Sequence, residues 1–199
     1  LAGDIKMHTT DITTWFLQFD APAPQPPQWP DGVQLAEAEV ISPELSQFMF
    51  RTVGGPWRWF SRLSWNYQQW LDYLMQQQVR TWLLWVKGTP AGYIELLKHA
   101  DHSVEIKFFG LLPQFIGQGL GLKLAQAAIV QAAQWQASKI WLHTCSADHP
   151  SALKNYQQAG FVITHIEHSM EALPQLNDSR LLAADFVYSA LAHHVEKTG

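Results

Sequence analysis

The residues best suited to chemistry are the glycines of Gln114-Phe115-Ile116-Gly117-Gln118-Gly119-Leu120-Gly121, which stand where a strand pattern gives way to a long helical one. Lacking Cβ atoms, such a turn can aim its backbone N–H groups at a ligand, and the helix start adds the positive end of a dipole; together they suit a pyrophosphate. A ligand-free helix start is the alternative, but it leaves unexplained why alternating glycines should weaken the helix they begin. A dinucleotide fingerprint needs G-x-G-x-x-G directly after the strand and an acidic residue closing the next strand. Here the glycines alternate, Pro113 intervenes and the next strand closes with Thr144-Cys145. A P-loop needs four residues between its glycines and a Ser or Thr after its lysine, and Gly121-Leu122-Lys123-Leu124 has neither. A Q-x-x-G-x-G phosphate turn remains. The other dense stretch is His143-Thr144-Cys145-Ser146-Ala147-Asp148-His149. A zinc site takes three or four ligands and Cys145 is the only cysteine, so no metal is expected and Cys145 reads as a small buried hydrophobe.

The elements that must position these residues follow from the hydrophobic pattern. Strands are expected at Thr13–Phe19, Val33–Ile41, Thr81–Lys87, Ala91–Lys98, Val104–Leu112, Lys139–Cys145 and Phe161–His168. Helices are expected from Ser42-Pro43-Glu44 to Gly54, over Asn66–Gln78, Gly119–Ala137 and Pro150–Ala159, and from Asp178 or Ser179 to His194. Ala21–Pro30 carries five prolines, which cannot donate to a ladder, and reads as a linker. Strands alternating with helices in the second half imply right-handed crossovers and a mixed α/β sheet.

Composition narrows the partners. Lys+Arg 13 against Asp+Glu 17 leaves a formal charge of −4, so no broad basic field exists for nucleic acid or anionic lipid. No apolar run is long enough to span a bilayer. The opening Leu1 to Lys6 lack a secretory pattern, and with a single cysteine the expected location is cytoplasmic.

In order and spacing, three segments resemble the GCN5-related N-acetyltransferase (GNAT) superfamily. Gln114-x-x-Gly117-x-Gly119 resembles its acetyl-CoA pyrophosphate loop, Val104-Glu105-Ile106-Lys107-Phe108-Phe109 the strand before it, and Asn155-Tyr156-Gln157-Gln158-Ala159-Gly160-Phe161 its Y-x-x-x-G-F ending. The resemblance runs from Val33 to about Ile166 and is strongest from Ala91 to Phe161. It implies a mixed α/β fold with a central, mostly antiparallel sheet flanked by helices. It leaves the first thirty residues and the last helix outside, so the chain is expected to divide into an N-terminal strand and Pro-rich extension at 1–32, an acetyltransferase domain at 33–170 and a helix packed on that domain at 171–199. Ile116 stands where many members carry Arg and His149 where many carry Asn, so phosphate contact must lean on backbone amides.

The resemblance implies acetyl-CoA as co-substrate, held by Phe109, Gly110, Leu111 and Leu112 along a splayed strand, by Gln114, Ile116, Gly117, Gln118, Gly119, Leu120 and Gly121 in the turn, and by His149 and Asn155. An amide there, at Leu111, would donate to the thioester oxygen. Acetyl transfer to an amine also needs a base and an acid. Glu105 stands at the base position of some members, with Glu95 as its rival; a solvated carboxylate paired with Lys98 or Lys107 is the alternative for either. Tyr156 matches the family's acid, and a buried structural phenol is its alternative. Arg51, Trp57, Trp59 and Glu95 occupy the acceptor region, where aromatic faces and arginines suit a small amine or amino-acid-like molecule, unless the tryptophans simply fill a core. The expected activity is direct acetyl transfer to an amine, with a homodimer allowed for. A non-catalytic acyl-CoA-binding domain is the rival reading, and a cysteine hydrolase built on Cys145 a more distant one.

Overall fold

β-Branched and aromatic runs pair into a single sheet in the computed structural model, which describes residues 7–174. Its strands are β1 (Met7–Phe19), β2 (Val33–Glu37), β3 (Val79–Val86), β4 (Thr89–Lys98), β5 (Val104–Leu111), β6 (Ile140–Cys145) and β7 (Val162–Pro174), in the order β2-β3-β4-β5-β6-β1-β7. Every neighbouring pair is antiparallel except β5 with β6. The helices are α1 (Pro43–Gly54), α2 (Tyr67–Leu74), α3 (Leu120–Gln134) and α4 (Ala152–Gln158). The expected mixed, mostly antiparallel α/β fold is therefore present. The helix expected after Asp178, and most of the 171–199 segment, lie outside the described residues.

Local chemistry starts and stops these elements. Ser42 caps α1, its Oγ accepting from Leu45 N at 3.2 Å, with Pro43 in the first turn. Asn66 and Gln69 form a capping box on α2, which ends at Leu74, short of the expected Gln78, because Val79 already begins β3. On β3, Trp82 and Leu84 face the large core beneath α3 while Leu83 faces the one beneath α1, so the strand is buried on both sides.

Two differences from expectation matter. β1 starts at Met7 and is inserted between β6 and β7, and β7 runs on to Pro174 because residues 169–174 pair with 7–12. The divisions drawn at 32 and 170 thus do not follow the sheet: β1 is an interior strand. The polar Thr-Thr-Asp-Ile-Thr-Thr run concealed this, since its β7 partners, Ala172 to Glu167, lie at the far end of the sequence. The second difference is a bulge. Glu95 opposes Phe108 and Leu96 opposes Ile106, so Lys107 has no partner on β4. Beyond it the side chains change parity: Ile106 and Phe109, three apart, face the same core. A bulged strand bends, and β5 pairs with β6 only at Val104–Ile140 and Glu105–Trp141 before the two part.

Candidate active site

Where β5 leaves β6, a cavity of about 780 Å³ opens, with Phe109, Gly110 and Leu111 along one wall and His143 and Cys145 along the other. The β5 residues beyond Glu105 have no ladder partner on that side, so their backbone is available to an extended ligand.

One end of the cleft is the glycine turn. Pro113–Phe115 form a 3-10 turn, and Gly117 and Gly119 follow at φ +82° and +74°, left-handed angles that side-chain-bearing residues rarely adopt. Gly119 is the N-cap of α3 and contributes no side-chain bond, so the first amides of a 15-residue helix lack a side-chain cap at the cleft. Gln118 Nε2 donates to Gln114 O at 2.7 Å and braces the turn. Ile116, Gly117, Gly119, Gly121, Asn155 and His149 line the cleft; Gln114 and Gln118 do not, while Leu120 and Leu112 are buried in the two cores. Those four are scaffold rather than wall. The Tyr156 ring packs between Phe109, centroids 5.4 Å apart, and Phe161 at 6.1 Å, and also lines the cleft. Burial, with a smaller push from the Asp148 carboxylate, raises its phenol above the usual tyrosine range, so it stays protonated at neutral pH.

At the other end the aromatic stretch divides. Trp57, Trp59 and Phe60 line the cleft, whereas Trp65 packs with Phe50, Leu63 and Trp70 in a core. A residue absent from the expectations links the two sides: Asp148. Its Oδ2 accepts from Thr144 Oγ1 at 2.7 Å and Cys145 N at 2.9 Å, and its Oδ1 accepts from Trp59 Nε1 at 3.3 Å. Trp57 also meets the His149 ring edge-on, centroids 4.9 Å apart. The segment after α1 therefore crosses the cleft as a strap. Gly54 makes this approach feasible, since a Cβ there would come within 2.2 Å of the Trp59 ring. His149 Nδ1 accepts from Ser151 N at 3.0 Å, and burial lowers its pKa, so the ring is neutral with its proton on Nε2.

The two carboxylates proposed as bases both lie off the cleft wall. Glu95, 1% exposed, takes two bonds from Arg62 at 3.0 and 2.9 Å and one from Tyr73 Oη at 2.7 Å. This placement removes it from the acceptor region, and Arg51 lies off the cleft as well, its Nη2 donating to Leu63 O at 3.2 Å. Glu105, 2% exposed, lies one layer behind the wall, with His99 Nε2 at 3.1 Å, Lys107 Nζ at 3.0 Å and His143 Nδ1 at 3.7 Å. Lys107 and His143 stand between it and the cleft. The Cys145 thiol is pushed up by burial and by Asp148, the opposite of an activated nucleophile.

A parted parallel pair with a glycine turn and an uncapped helix start beside it defines an open, partly apolar cleft. The model of the Acetyltransferase (GNAT) family matches residues 44–161, and the chain belongs to that family. Uncharacterized N-acetyltransferases of Mycobacterium tuberculosis and Mycobacterium bovis are 32% identical over 76 residues, which is 38% of this chain and 48% of each relative. The chain thus aligns with about half the length of the curated relatives it matches. A GCN5-related N-acetyltransferase from Kribbella flavida aligns with TM-score 0.59 at 19% identity, over 85% of this chain and 60% of that one. A Bacillus subtilis acetyltransferase solved in complex with CoA aligns with TM-score 0.52 at 22% identity, over 67% of this chain and 78% of that one. At these identities the likeness to solved structures is one of fold. Among the described residues no helix is long and apolar enough to cross a membrane.

Proposed function

We propose that the protein is an acetyl-CoA-dependent N-acetyltransferase that moves an acetyl group directly onto a small amine. The observation that carries this reading is the cleft itself. The glycine turn with its uncapped helix start, the aromatic strap, and an unpaired strand edge along which a thioester can extend all line one cavity. The residues fit acetyl-CoA: Gly117, Gly119 and the first turn of α3 take the pyrophosphate through main-chain amides, and Phe109 to Leu111 take the pantetheine by strand-like bonds. The Leu111 amide serves the carbonyl oxygen as charge develops on it. Tyr156, kept protonated by its surroundings, donates to the departing sulfur. The amine enters between Trp57, Trp59 and Phe60, whose faces attract cations and stack on flat rings. Arg58, which also lines this end, has no side-chain partner among the described residues and suits an acceptor carboxylate, so an amino-acid-like amine fits best. The lone cysteine favours a reducing, cytoplasmic setting.

Calorimetric titration tests the site. CoA is expected to bind wild type more tightly than NAD or ATP, and Gly119→Asp, which sets a carboxylate against the pyrophosphate, should abolish binding without unfolding the chain. Equal binding by both proteins would refute the cradle.

A further inference from the structure

We propose that His143 is the base that accepts the acceptor's proton, and that Glu105 is the positioning carboxylate that holds its imidazole. The inference rests on the acetyltransferase reading above and assigns a residue to a step that reading leaves open.

Elimination among the polar groups of the cleft comes first. An amine enters largely as an ammonium and attacks only after losing a proton, so the base must present an unoccupied lone pair to the cleft. Asp148 accepts three hydrogen bonds, from Trp59, Thr144 and the Cys145 amide, which tie it into the strap and the turn after β6 as a structural acceptor. His149 has its Nδ1 engaged by the Ser151 amide and offers only an N–H from Nε2. Cys145 and Tyr156 are both pushed toward their protonated forms. Lys107 is a cation bonded to Glu105. Glu171 is exposed and accepts from Ser169 at 2.9 Å, and a solvated carboxylate is too weak a base for an ammonium. His143 remains.

Its setting supports the role. Nδ1 stands 3.7 Å from Glu105 Oε1, and the ring rests near Phe16, centroids 5.9 Å apart. A carboxylate facing Nδ1 favours the tautomer with the proton there and leaves the Nε2 lone pair outward. The side chain is 44% exposed and lines the cleft. The charged groups around it are Glu105 and Lys107 on β5 and His99 beyond β4; across Phe16 lie His165 and Glu167 on β7. His99 holds the Oε2 of that carboxylate, and Lys107 bonds the same Oε1 that faces His143, so Oε1 is shared between the two. Proton and electron balance closes. Nε2 takes one proton from the ammonium, the freed nitrogen lone pair attacks the thioester carbon, and the C–S bond breaks. The nitrogen's second proton reaches the sulfur by way of the Tyr156 hydroxyl, and His143 returns its proton to solvent.

The test pairs kinetics with a spectrum, on the full chain. His143→Gln is expected to lower kcat roughly 10²–10⁴-fold and erase the acidic limb of the pH profile, with acetyl-CoA affinity unchanged. In His143→Ala, added imidazole should restore part of the rate. Glu105→Gln should lower kcat on the order of 10²-fold without raising KM, since the ring loses the group that orients it. A His143→Gln variant with the wild-type rate and acidic limb would overturn the proposal. The long-range proton–nitrogen spectrum of His143 should show Nδ1 protonated and Nε2 bare; the reverse tautomer overturns it whether or not any amine is acetylated. Failure to bind acetyl-CoA would count instead against the acetyltransferase reading, and the spectrum would still judge His143.

Discussion

Glu95 and Glu105 occupy neighbouring strands, are both almost fully buried, and both hold cations, yet they belong to different kinds of structure. Glu95 is sealed. Its partner Arg62 lies under the rings of Tyr73 at 4.0 Å, Phe108 at 4.5 Å and Trp65 at 4.7 Å, and every oxygen is satisfied from inside the core beneath α1 and α2. Glu105 is instead half of a boundary. Its partners His99, Lys107 and His143 are 37%, 32% and 44% exposed, and two of them form the cleft wall. The bulge at Lys107 separates the two cases: upstream of it the β5 edge still meets β6, and downstream β5 swings away and opens the site. A buried charge next to a parting of strands can serve chemistry, whereas one surrounded by aromatic rings serves packing.

The largest expected effect breaks the sealed cluster. Glu95→Gln leaves the Arg62 guanidinium buried without its counter-charge and should cost about 3–5 kcal/mol in urea unfolding, with the rate per folded molecule little changed. A stable, inactive Glu95→Gln protein would exchange the roles of the two carboxylates. The matching Glu105→Gln should cost only on the order of 1 kcal/mol, because its partners regain water, while turnover falls. Trp59→Phe removes the bond to Asp148 that holds the strap over the cleft, and should cost about 1 kcal/mol and raise KM for the amine more than it lowers kcat.

The smallest effects are in pH dependence, and the buried phenol and the buried imidazole differ in sign. Burial, reinforced by Glu95, holds the Tyr73 phenol above its ordinary range. The unfolded chain therefore loses that proton first, and stability falls as pH rises beyond about 10. His149 is lowered by burial, so the unfolded chain gains the proton first, and stability falls as pH drops below about 6.5. Melting curves should show Tyr73→Phe flattening the alkaline loss and His149→Gln the acidic one; unchanged limbs would remove these two groups as causes.

Short-range chemistry made much of this legible in the sequence. The cap at Ser42, the glycine turn at Gly117 and Gly119, and the α3–β6–α4 succession depend on neighbours a few residues apart. What escaped depends on partners far along the chain. The place of β1 follows from pairing with β7, and the bulge at Lys107 follows from the register of β4 against β5. Glu95 and Glu105 look alike as strand carboxylates until Arg62 and His143 are brought to them. Asp148 was hidden in a run of histidine and cysteine that drew attention to metal chemistry, although the spacing of Thr144, Cys145 and Asp148 already permitted a local turn bond.

Mass spectrometry of a panel of small amines incubated with acetyl-CoA and wild-type protein tests the central claim most directly. The structure predicts that at least one amine, best of all one bearing a carboxylate or an aromatic ring, gains a single acetyl group in step with the release of CoA thiol. Tight acetyl-CoA binding with no acetylated amine and no thiol above the protein-free control would contradict it and leave a binding domain in place of an enzyme.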